Sequence, residues 1–114
     1  MSRIKKSIKL AKKRRFELNG LLPYQKVRRI VKAALQDCGW LDDSYRYYNE
    51  QFVSYRRMKW YNQFSHKRLS LDDISRIEKF IKKRLSQNGI GVIQSEFELI
   101  ESYRGPYLAF VVKI

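Results

Sequence analysis

The chain has 114 residues, enough for one domain with a modest core. Lys and Arg total 25 against 11 Asp and Glu, a formal charge of +14, which points to an acidic polymer or surface as partner. One cysteine, Cys38, excludes an internal disulfide; one histidine, His66, leaves too few ligands for a structural zinc site; and no apolar run is long enough for a transmembrane helix.

Charge is unevenly placed. Residues 1–33 hold twelve cations and one acid, Glu17; residues 34–51 hold one cation and four acids; residues 52–69 hold five cations and no acid. Residues 1–20 read as a basic arm, either a frayed helix or a segment that orders on meeting its partner. "ELNG" at 17–20 separates the arm from one globular domain over 21–114. The opening "MSRIKKSIKLAKKRRF" lacks the apolar middle of a secretory signal. It is basic, acid-free and weakly amphipathic through Ile4, Ile8 and Ala11, traits it shares with organelle transit peptides.

From 23 to 38 the spacing predicts a helix. Pro23 suits a first helical position and Gly39 the residue just past the end. Tyr24, Val27, Val31, Ala34, Leu35 and Cys38 share one face, while Arg28, Arg29, Lys32 and Gln36 fall opposite. One side can pack while the other presents cations, and Cys38 reads as a small buried residue.

Residues 43–64 send two signals. Tyr45, Tyr48, Phe52 and Tyr55 keep helical spacing, which favours a helix, bent or broken near 56–58. The run "QFVSYRRMKWY" is also rich in β-formers, and a third strand beside the C-terminal hairpin is the alternative.

A further helix is predicted over 71–87. Ser70 can cap it with Asp73 placed for a capping box, and Asp72 and Asp73 suit the positive end of its dipole. Ile74, Ile77, Ile81 and Leu85 form its buried stripe, and Asn88-Gly89 stops it. The tail reads as a β-hairpin: Ile93, Phe97 and Leu99 alternate with Gln94, Glu96 and Glu98, "RGP" turns the chain, and Leu108, Phe110, Val112 and Ile114 return on one face. The expected fold is therefore α+β: a mainly helical single domain of about three helices with a C-terminal hairpin. Its element order is winged-helix-like, with helix 71–87 or 44–64 in a groove and "SYRGPY" as the wing tip.

Eight of the sixteen aromatics lie between Tyr45 and Phe64, interleaved with Arg46, Arg56, Arg57, Lys59, Lys67 and Arg68. Cations neutralise phosphates without needing sequence specificity, and aromatic faces stack on exposed bases. Within this stretch Arg56-Arg57-Met58-Lys59-Trp60 resembles the end of a homeodomain recognition helix. The places that precede it hold Phe52, Val53 and Tyr55, and the asparagine that contacts adenine in that family is missing, so membership does not follow. "GWLDD", with Asp42 and Asp43, resembles a short piece of the RusA-type Holliday-junction resolvases. That resemblance implies further aspartates upstream, and residues 18–36 contain no acid. Asp42-Asp43-Ser44 is more simply a helix-capping cluster. There is no glycine-rich phosphate loop and no discernible nucleophile with base and orienter.

The sequence thus predicts a small, basic, non-catalytic nucleic-acid-binding protein without cofactor or metal, with DNA slightly favoured over RNA. An accessory or regulatory factor of a phage or mobile element fits the size, and the expected location is cytoplasmic or nucleoid-associated. Expected phosphate contacts are Arg14, Arg15, Arg28, Arg29, Lys32, Arg56, Arg57, Lys59, Lys82 and Lys83, with Trp60 and Tyr61 contacting base or sugar. The rival readings are an RNA- or ribosome-associated protein, a basic module for an acidic protein partner, and a metal-dependent nuclease.

Overall fold

A computed structural model describes residues 3–11, 14–40, 48–54, 57–62, 70–91, 94–100 and 107–113. In chain order these form α1 (Arg3–Leu10), α2 (Pro23–Asp37), β1 (Tyr48–Ser54), β2 (Arg57–Asn62), α3 (Leu71–Gln87), β3 (Gln94–Ile100) and β4 (Tyr107–Lys113). The fold is α+β with a C-terminal antiparallel hairpin.

The two long helices begin and end where their flanking residues dictate. Pro23 opens α2, and the Leu22 N–H donates to the Gln25 side-chain oxygen at 2.9 Å. Ser70 caps α3, its hydroxyl accepting from the Asp73 N–H at 3.1 Å. Both helices close with one device. At the end of α2 the Gly39 N–H reaches the Gln36 carbonyl at 3.0 Å and the Trp40 N–H reaches Leu35 at 3.2 Å. At the end of α3 Gly89 reaches Ser86 at 3.0 Å and Ile90 reaches Leu85 at 2.9 Å. This paired closure needs a left-handed residue just past the cap. Gly39 and Gly89, at φ 82° and 77°, supply it without a Cβ penalty.

All strand pairs are antiparallel, in the order β1-β2-β4-β3. The helix expected over 43–64 is corrected where the chain is described: β1 and β2 pair as a hairpin, and β2 adds to the C-terminal one through Trp60 opposite Phe110. The helical spacing of Tyr48 and Phe52 is incidental. Pairing with β4 and a β-forming composition outweigh it. The C-terminal hairpin is thereby half of a four-stranded sheet, with β4 in its interior. The expected wing tip at 101–106 lies outside the described residues.

One core joins helices to sheet. Val27, Ile30, Val31, Ala34, Leu35 and Cys38 from α2 meet Ile77, Ile81 and Leu85 from α3, and Trp60, Phe110 and Val112 from the strands. Phe97 stands edge-on to both Trp40 and Phe110, at centroid distances of 5.3 and 5.0 Å. α3 packs against both α2 and α1, and Ile4 of α1 is buried in the same cluster, so part of the basic N-terminal segment contributes to the core. Ala109, Phe110, Val111 and Val112 are all buried, which marks β4 as covered on both faces.

Trp60 is fully buried, and its indole N–H meets no acceptor among the described residues. Trp60→Ala should cost about 3–5 kcal/mol in urea unfolding, the usual range for emptying a large aromatic site. Trp60→Phe should cost markedly less, because the ring it keeps fills most of the site and the group it loses is unpaired.

Cys38 donates its thiol to the Leu35 carbonyl at 3.2 Å, and burial pushes its pKa from the ordinary 9.0 up to about 12. Below the lower value both folded and unfolded thiols are neutral. Above it the unfolded chain ionises first, so this contribution to stability falls as pH rises towards the folded value. The stability difference between wild type and Cys38→Ala should therefore shrink as pH rises from about 9 towards 12, measured by paired denaturant titrations.

Candidate nucleic-acid interface

The exposed face of α2 and the segment before it form a cleft of about 430 Å³. Arg28, Arg29 and Lys32 line it from α2, because three- and four-residue steps place them on one side of the helix. Arg14 and Phe16 close it from the N-terminal segment, with Gln25 and Gln36 as neutral hydrogen-bonding groups. Arg14, fourteen residues before Arg28, thus joins three cations of α2 on one concave surface.

The strap that delivers Arg14 is held at several points. The Asn88 side chain accepts from the Phe16 N–H at 3.1 Å and donates to the Arg14 carbonyl at 3.2 Å and the Arg84 carbonyl at 2.9 Å. The Arg14 guanidinium binds both Asp37 oxygens at 3.0 Å and lies 5.3 Å from the Phe16 ring centroid. Arg29 donates to the Glu17 carbonyl at 2.9 Å. These contacts set the spacing of the cations.

Beneath the strap, Asp37 also pairs with Arg84. Arg84 is only 2% exposed, whereas Asp37 is 26% exposed. One carboxylate therefore bridges a buried cation of α3 and a half-exposed cation of the strap. Nothing in the sequence marked Asp37 apart from the other acids of 34–51.

The expected contact residues divide into groups. Arg14, Arg28, Arg29 and Lys32 come together in the cleft. Arg15 is exposed next to Arg14 on the strap. Lys82 and Lys83 are exposed on α3, and Lys83 lines a different cleft, between α1 and α3. Arg57, Lys59 and Tyr61 lie on β2, in register with Lys113, Val111 and Ala109. Arg56 lies outside the described residues. Trp60 is corrected: its ring sits in the core among helix side chains and has no face to offer a base.

The outer surface of the helices is cationic well beyond the cleft, with Lys5, Lys6, Lys9, Lys79, Lys82 and Lys83 all exposed. Glu96 and Glu98 belong instead to the edge strand β3. No helix among the described residues is long and apolar enough to cross a membrane. Among those residues no three His, Cys, Asp or Glu side chains gather where they could hold a metal, and Asp42 and Asp43 lie outside them. No protein-family model, curated protein or solved structure matches this chain.

Removing the shared carboxylate tests the architecture of the site. Asp37→Ala leaves Arg84 buried without its carboxylate and should cost about 3 kcal/mol, the low end for a broken buried pair because Asp37 itself is partly exposed. Arg84→Met in the same chain should restore much of this, read as the coupling in a double-mutant cycle of unfolding free energies.

Proposed function

We propose that this protein binds nucleic acid without catalysing a reaction on it, DNA ahead of RNA, and that the strap–α2 cleft carries the main phosphate contacts. The single observation behind this reading is the convergence of Arg14, Arg28, Arg29 and Lys32 on one concave surface. Guanidinium groups suit phosphate because their planar donor fork matches two oxygens at once. Lys32 adds a point charge, and the lysines of α1 and α3 widen the positive field that would steer a polyanion towards the cleft. Arg14 contributes less than a full charge, since Asp37 already balances it in part. An accessory or regulatory role fits a chain of this size.

Binding driven by such contacts releases counterions and depends steeply on salt. With three to four phosphates neutralised, log K against log salt should fall with a slope of about −3 on duplex DNA. Arg28→Ala with Arg29→Ala should weaken binding on all sequences alike and bring that slope closer to zero by about 2. Anisotropy titrations across a salt series on duplex DNA, single-stranded DNA and structured RNA make the measurement. A flat salt response on all three would remove the phosphate reading in favour of an acidic protein partner, and a preference for structured RNA would move the reading to that polymer.

A further inference from the structure

A second cleft, of about 360 Å³, lies between α1 and α3 and differs in kind from the first. Its lining combines Ile8 and Ala11 with the half-buried ring of Phe80. Lys79 and Lys83, both exposed, stand at its rim with Gln87 and Arg76, the latter tied to Asp72 at 2.7 Å. We infer that this cleft receives one unstacked base of a single-stranded nucleic acid whose phosphates occupy the neighbouring strap–α2 cleft.

This rests on the reading above and extends it from a polyanion to a strand with exposed bases. The volume falls in the range of small-molecule sites, and its walls set one aromatic ring and two aliphatic side chains among four cations and an amide. A base needs a flat apolar face to stack on and a group at its edge that both donates and accepts; Phe80 and the Gln87 amide are of those types. Phe80 is also held in place. The Arg84 guanidinium lies 4.8 Å from its ring centroid, and Arg84 is anchored in turn by Asp37. A ring fixed beforehand loses little freedom when a ligand stacks on it.

The two clefts are also neighbours. Ala11 lines this cleft and Arg14 lines the other, and three residues of extended chain span at most about 11 Å. Asp37 touches Arg14 of one cleft and Arg84 of the other. A cationic groove for backbone and an aromatic-floored pocket for a base therefore sit side by side. Bases within a duplex are stacked and paired and cannot enter such a pocket, so the strand must be single or locally opened. An acidic peptide with an apolar anchor would meet the same groups, and a glutamate-rich peptide tried in place of the oligonucleotide separates the two.

The test compares a fluorescein-labelled oligothymidine of about 12 nucleotides with a duplex of the same length, bound by the full chain. Phe80→Leu keeps apolar packing and removes the ring; its thermal midpoint is checked first. It should weaken single-strand binding about tenfold and leave duplex binding within about twofold, while Phe80→Tyr retains wild-type affinity. An oligonucleotide carrying 2-aminopurine should be quenched by wild type and not by Phe80→Leu. Equal loss on both polymers, loss on neither, or Phe80-dependent binding of a glutamate-rich peptide in place of the oligonucleotide would overturn the inference. If salt-dependent binding persists while Phe80→Leu is indifferent, only the base pocket fails. If wild type binds no nucleic acid, the phosphate reading fails with it.

Discussion

Asp37 is the point on which the arrangement turns. It occupies the last residue of α2, where the helix dipole is negative and an acid is misplaced. Two arginines outweigh that cost. Arg84, almost wholly buried on α3, and Arg14, half exposed on the strap, both pair with Asp37. The same carboxylate therefore holds α2 against α3 and sets one wall of the cationic cleft. In a chain with more than twice as many cations as acids, the placing of each acid has unusual leverage.

Asn88 complements this clamp through uncharged bonds. It stands at the cap of α3, holds the Arg84 carbonyl, and fastens both Arg14 and Phe16 through their backbone groups. The strap is thereby fixed by polar contacts whose partners lie more than seventy residues away. Stability and site geometry are coupled here: the residues that order the strap are those that space its cations. The helices serve both ends in another way, since each buries an apolar stripe and shows the opposite cationic face to solvent.

Much of this was legible in the sequence because it is local. Pro23, Ser70, Gly39 and Gly89 act on their own turns, so the bounds of α2 and α3 follow from residues within a few positions. Arg28, Arg29 and Lys32 share a helix face by the same local rule. The stretch around Trp60 was not legible. Its spacing suits a helix as well as a strand, and only a partner fifty residues away, Phe110, decides between them. That decision reverses the part Trp60 plays, from a candidate surface for a base to the centre of the core. Phe80, which lines the second cleft, lies on α3 among residues whose periodicity announced only a buried stripe.

What the sequence alone determined is the charge, the helical caps and faces, and the period-two pattern of the tail. Each depends on covalent neighbours and on backbone geometry that repeats every turn or every second residue. What only the tertiary structure decided is which cations share a surface, which aromatic is covered and which lines a cleft, and which carboxylate answers the buried arginine. Those outcomes depend on how helices and strands distant in the chain meet. The free energy of burying an aromatic or pairing a charge is set by what lies across the contact, and sequence spacing does not carry that information.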